Sequence, residues 1–121
     1  MQKLYIKSLW KSIDKVLKSY KIEEFGYINS FDPVFFDIES KLKCVFKIYH
    51  SVDLISGEPY IAKHGVEAEY KAADKADYVV TTSEPLKKRL EKYNNKTICI
   101  PNAVDFELFS TRPISHIISI H

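Results

Sequence analysis

The chain has 121 residues, 45% of them hydrophobic and 28% charged, with a net charge of +2. That is the size of one domain with enough apolar content to bury a core, which excludes a disordered tail or a collagen-like fibre. The charge is too slight to argue for nucleic acid, whose phosphates select a concentrated basic surface. No run approaches the roughly 18 apolar residues of a membrane-spanning helix. The opening Met-Gln-Lys-Leu-Tyr-Ile-Lys has no continuous apolar stretch, so no cleaved signal peptide is expected. Cys44 and Cys99 form no CxxC motif and read as reduced, buried thiols of a cytoplasmic protein.

The first segment is an amphipathic helix. At about 100° per residue, Lys3, Lys7, Lys11, Lys15, Lys18 and Lys21 share one arc. Ile6, Leu9, Trp10, Ile13, Val16, Leu17 and Tyr20 fall opposite. Residues 25–29 are a short apolar run that reads as a buried strand. Asp32-Pro33 then has the form of a helix start, and Val34, Phe35, Ile38 and Leu42 supply the helical face. Residues 45–49 form the second strand, rich in β-branched and aromatic residues. A polar loop runs from His50 to Pro59, and a helix covers 66–75 with Val66, Tyr70 and Ala73 on one face. Gly65 marks its start or a break. Residues 78–82 are the third strand. Ser83 caps a helix with Leu86, Leu90 and Tyr93 as its core stripe, and Asn94-Asn95 ends it. Residues 97–100 are a fourth strand, stopped by Pro101.

Strands separated by helices need crossovers, and these are nearly always right-handed. The expected fold is α/β: a three-layer sandwich around a parallel sheet of about four strands. Residues 1–109 make up this domain, and 110–121 are an irregular tail.

In open parallel sheets, ligands bind outside the carboxyl ends of the strands. That edge collects Asn29, Ser30 and Asp32; His50, Ser51 and Asp53; Thr82, Ser83 and Glu84; and Asn102 and Asp105. An imidazole titrates near neutral pH and takes or orients a hydroxyl proton, so His50 is a candidate, although its spacing alone favours a hydrogen-bonded loop histidine with no ligand. Asp53 could hold that imidazole or cap the loop. Ser83 suits a helix N-cap, a role compatible with anion binding. Asn102 and Asp105 suit a turn or a ligand. Walker, GxGxxG and GxSxG motifs are absent from the sequence, as is any zinc spacing, and His64, His116 and His121 read as surface residues.

Three ordered segments carry a resemblance. They are Lys47-Ile48-Tyr49-His50-Ser51-Val52-Asp53, the stretch from Glu67 to Ser83 containing Ala76-Asp77-Tyr78-Val79-Val80-Thr81-Thr82-Ser83, and Ile100-Pro101-Asn102-Ala103-Val104-Asp105-Phe106-Glu107-Leu108-Phe109. Together they resemble the N-terminal domain of GT-B-fold glycosyltransferases of the family 4, or group 1, type, over residues 25–109. The resemblance implies a Rossmann-like domain on the acceptor side of an enzyme that moves a sugar from a nucleotide-sugar donor to a cell-surface polysaccharide or glycolipid. It gives His50 a place at the donor–acceptor junction, and makes Asp53, Ser83, Glu84, Asn102 and Asp105 substrate-binding residues. Ala103 stands where the family usually has Gly, so a left-handed backbone there would be strained.

The resemblance also implies that the family's Gly-rich first strands and its donor-binding domain lie outside the chain. The chain is therefore expected to be an incomplete, inactive piece, with a nucleotide sugar bound only if a partner chain supplies the donor domain. No metal or tightly held cofactor is expected. The alternatives are an acceptor-binding subunit of a split transferase and a non-catalytic α/β interaction module. A weak contact with a membrane surface through Lys3, Lys7, Lys11, Lys15 and Lys18 is a further expectation.

Overall fold

A computed structural model describes residues 2–55, 59–103 and 106–111. The fold is α/β, with helices alternating with the strands of a four-stranded parallel sheet of order β1-β2-β3-β4 in Rossmann-like fashion. Helix α1 (Gln2–Ser19) leads into β1 (Glu24–Ser30), and β2 spans Lys43–Ser51. Then come α2 (Pro59–Lys75), β3 (Tyr78–Thr81), α3 (Glu84–Leu90), β4 (Thr97–Cys99) and α4 (Phe106–Thr111).

Each strand is laid down beside the last in the same direction. Right-handed crossovers then put successive connections on one face of the sheet. The contacts agree. Trp10 of α1 stacks on Phe25 and meets Tyr27 edge-on, with ring centroids 5.9 and 5.3 Å apart. Phe36 lies between Tyr27 and Tyr49. Tyr49 and Val79 share the core with Ala72, Ala73 and Ala76 around the end of α2 and with Leu90 of α3.

Four expectations need correction. The helix foreseen after Asp32 is only a single 3₁₀ turn, Pro33–Phe35, and Asp32 makes no side-chain cap bond. The chain leaves helical geometry because tertiary partners take its polar groups: the Lys41 backbone N–H and the Ser40 hydroxyl both donate to the Asp14 carboxylate of α1. Next, β2 continues through Ser51, so His50 and Ser51 belong to a strand and not to a loop. Gly65 neither starts nor breaks α2; it lies buried within it. Finally, Cys44 and Cys99 are free but only half-buried.

Helix α1 also turns a narrower face inward than its sequence suggests. Trp10 is buried and Ile6, Ile13 and Leu17 are half-buried, whereas Leu9, Val16 and Tyr20 are exposed. The helix meets β1 through Trp10 and the segment after it through Asp37, Ser40 and Lys41. Its C-terminus is closed by bonds from the Lys21 and Ile22 amides to the Lys18 and Leu17 carbonyls, with Lys21 left-handed at φ 57°.

Candidate functional site

The carboxyl ends of β2, β3 and β4 converge on a groove of about 410 Å³. Val52, Asp53, Thr82, Ser83, Pro85 and Asn102 are among its lining residues. The loops that form it are tied to one another. The Thr82 amide donates to the Ser51 carbonyl (3.2 Å), and the Thr82 hydroxyl donates to the Val52 carbonyl (3.1 Å). The Ile100 amide donates to the Thr81 carbonyl (2.8 Å), and the buried Thr81 hydroxyl donates to the Ser83 carbonyl (3.1 Å).

Asp53, Ser83 and Asn102 are thus brought together, as their places in the sequence suggested. Asp53 is exposed and its Oδ1 accepts the Leu54 amide (2.7 Å), which fixes the carboxylate at the mouth of the groove. Ser83 occupies the N-cap position of α3 with extended backbone, yet its hydroxyl makes no cap hydrogen bond. Pro85 supplies no N–H in the first turn, and Glu84 places a carboxylate there. Both features make this helix end a poor anion site. Glu84 itself is exposed and does not line the groove.

His50 is not in this group. Strand alternation sends Ser51 to the helical face and His50 to the opposite one. There His50 Nδ1 lies 3.1 Å from the Ser30 hydroxyl oxygen. Among the described residues no hydrogen bond joins Asp53 to it. On β1, the buried Asn29 is absorbed by structure: it donates to the Tyr27 hydroxyl (3.0 Å) and accepts the Asp32 amide (3.1 Å). Phe31, beside these residues, is left-handed at φ 61°, an unusual conformation for a bulky side chain. Ala103 has no positive φ, so the strain expected from alanine in place of glycine does not arise. Asp105 lies outside the described residues, as does the tail from 112 onward.

The sheet order has no reversal, so the described strands form no topological switch point, the usual ligand crevice of open sheets. The groove instead occupies the space between neighbouring loops.

Beneath the groove lies a buried polar cluster that the sequence reading missed. Glu69 is fully buried, and its Oε1 accepts hydrogen bonds from the Tyr49 hydroxyl (3.1 Å) and the Ser51 hydroxyl (3.0 Å). Its Oε2 pairs with Arg89 Nη1 at 2.6 Å. Arg89 also lies 5.2 Å from the Tyr70 ring, which stacks on Tyr93. Burial, followed by the nearby Glu69 carboxylate, pushes the Tyr49 hydroxyl far above its ordinary pKa, so it remains a donor. The signal for this cluster was available. Glu69 stands three residues after Val66 and four before Ala73, within the apolar stripe of α2, and a charge there calls for a buried partner.

On the outer side of α1, the exposed Lys7, Lys11, Lys15 and Lys18 line a second groove shared with Asp14, Glu39 and Lys41. The two carboxylates divide this basic surface. Among the described residues no helix is long and apolar enough to cross a membrane, and no group of His, Cys, Asp and Glu has metal-binding geometry. No family model, curated protein or solved structure matches the chain.

Proposed function

We propose that this chain is the acceptor-side part of a glycosyltransferase, working on a nucleotide-sugar donor only when a second lobe closes over it. The observation that carries the reading is the convergence of Asp53, Ser83 and Asn102 on one groove at the carboxyl edge of a parallel sheet. These residues belong to the segments that carry the resemblance.

The chemistry suits a carbohydrate. An ionised Asp53 accepts hydrogen bonds from sugar hydroxyls, while Asn102 and Ser83 both donate and accept. Val52, Pro85 and Leu86 add apolar surface for the C–H face of a sugar ring. The described groove has the walls for one substrate. A donor's nucleotide and diphosphate need a second wall, supplied by another domain or chain. His50, on the far side of β2, would reach a donor–acceptor junction only across the end of the strand, so acceptor binding rests on the groove residues.

The test is binding. A glycan array of cell-surface oligosaccharides and glycolipid headgroups is expected to give weak positives that Asp53→Ala and Asn102→Ala abolish. Calorimetry with nucleotide sugars is expected to detect no tight binding. Sub-micromolar nucleotide-sugar affinity of the chain alone, or glycan binding that survives both substitutions, contradicts the reading.

Contact of Lys7, Lys11, Lys15 and Lys18 with a membrane surface is a subsidiary reading, supported by their exposure on one side of α1. Co-sedimentation with vesicles that did not depend on anionic lipid would remove it. The alternative of a non-catalytic interaction module draws support from a different surface, the sheet face on which Ile28, Tyr78 and Ile98 are exposed.

A further inference from the structure

Two properties of the groove at the carboxyl ends of β2, β3 and β4 select among carbohydrates. The first is charge. Asp53 lines the groove, and Glu84 directly follows the lining residue Ser83 in the first turn of α3. Among the described lining residues there is no Lys, Arg or His. Pro85, in the same turn, has no N–H to offer an anion. The second property is the state of the hydrogen-bonding groups. The Thr82 hydroxyl has one proton and gives it to the Val52 carbonyl, and the Thr82 amide is spent on the Ser51 carbonyl, so Thr82 can only accept from a ligand. Asp53 Oδ1 accepts the Leu54 amide, which holds the carboxylate in place. Among the described residues Asp53 Oδ2 has no hydrogen-bond partner. The donors left in the groove are the Ser83 hydroxyl and the Asn102 amide, and these two groups also accept. The groove therefore offers more acceptors than donors.

An ammonium brings donors, a positive charge and no acceptor, whereas a carboxylate or phosphate brings acceptors and a negative charge. We infer that the groove takes an amino sugar through its free, protonated amine, with Asp53 Oδ2 and the Thr82 hydroxyl oxygen as acceptors, and rejects uronates and phosphorylated sugars. Val52, Leu54, Pro85 and Leu86 supply the apolar wall against which the ring lies. This selectivity rests on the groove being the carbohydrate site proposed above. A hydrogen bond to an ionised partner is about twice as strong as a neutral one. Asp53 is exposed, so solvent and salt weaken that advantage. A preference of about fivefold for the free amine over its N-acetylated form is therefore expected.

The test is a titration of the ¹⁵N-labelled chain with three tetrasaccharides of the glucose series, built from glucosamine, N-acetylglucosamine and glucuronate. The pH is about 6, where a sugar amine is protonated and a carboxylate ionised. The glucosamine tetramer is expected to shift the amides of Asp53, Thr82, Ser83 and Asn102 and to bind about fivefold tighter than the N-acetylated tetramer. The glucuronate tetramer is expected to leave those amides unmoved. Raising salt from about 0.05 to 0.5 M should erase the preference. Asp53→Asn keeps an oxygen for the Leu54 amide and removes the charge, so it should equalise the two hexosamine tetramers while both still bind. Glu84→Lys should let the glucuronate tetramer into the groove. Equal binding of the amine and its acetylated form, tighter binding of the glucuronate, or a preference that survives Asp53→Asn would overturn the inference and leave the carbohydrate reading standing. The same holds if none of the three tetramers moves these amides while another glycan of the array does. If no glycan moves them, both fail together.

Discussion

Replacing Arg89 with methionine should destabilise the fold more than any other single change to the loops and helices around the groove. Arg89 is 18% exposed and its partner Glu69 is 0% exposed. Methionine keeps an unbranched apolar chain near Tyr70 but leaves the Glu69 carboxylate without its cation. Removing one partner of a buried ion pair costs about 3–5 kcal/mol, because a buried charge is left uncompensated. Glu69 still accepts hydrogen bonds from Tyr49 and Ser51, so the lower end, about 3 kcal/mol, is expected. Against a total stability of about 5–15 kcal/mol this is a large fraction. It corresponds to a fall in Tm of about 10 °C for a domain of this size.

Urea unfolding followed by circular dichroism measures the loss directly. The double variant Glu69→Gln/Arg89→Met removes the buried charge while leaving an amide oxygen to accept from Tyr49. It should therefore be more stable than Arg89→Met alone by about 1 kcal/mol. A loss below about 1 kcal/mol for the single variant, or a double variant no better than the single, refutes the view that the pair is a buried, charge-compensated unit.

Three further outcomes are expected. Asp14 is held below the ordinary carboxylate range chiefly by the Lys41 amide and then by the Ser40 hydroxyl. Its contribution should be present above the unfolded pKa and fade as pH falls below about 4. The stability gap between wild type and Asp14→Asn should then narrow in that window, and a constant gap down to the acid transition would contradict the assignment. Lys21→Gly should raise stability by about 1 kcal/mol, since glycine takes the left-handed position at φ 57° without a Cβ clash; a urea midpoint at or below wild type would argue against it. Asn94→Ala removes three bonds: two donated to the Ala73 and Ala76 carbonyls at the end of α2, and one accepted from the Lys96 amide. It should cost about 2 kcal/mol, measured by thermal unfolding, and an unchanged Tm would show that water replaces the side chain.

The strands were legible because a parallel sheet writes itself as short apolar runs between helices, and Val79, Tyr49 and Thr97 sit in such runs and are buried. The segment after Asp32 was misleading for a physical reason. Val34, Phe35, Ile38 and Leu42 have helical spacing, but the backbone around Ser40 and Lys41 is satisfied by Asp14, 26 or more residues away. Local periodicity cannot register such a partner. Asp53, Ser83 and Asn102 were placed at one edge because they follow strand ends, and the structure brings them to one groove. His50 was assigned to that same edge on the assumption that β2 ended before it. Two more residues of strand put it on the opposite face, beside the Ser30 hydroxyl.

Carbohydrate recognition by the groove at the carboxyl ends of β2, β3 and β4 is the core of the proposed function. Amide chemical-shift mapping of the ¹⁵N-labelled chain, titrated with the array-positive oligosaccharides, tests it most directly. Saturable shifts centred on Asp53, Thr82, Ser83 and Asn102 are expected, absent when a nucleotide sugar is added alone. Shifts centred elsewhere, or none at saturating oligosaccharide, would contradict it.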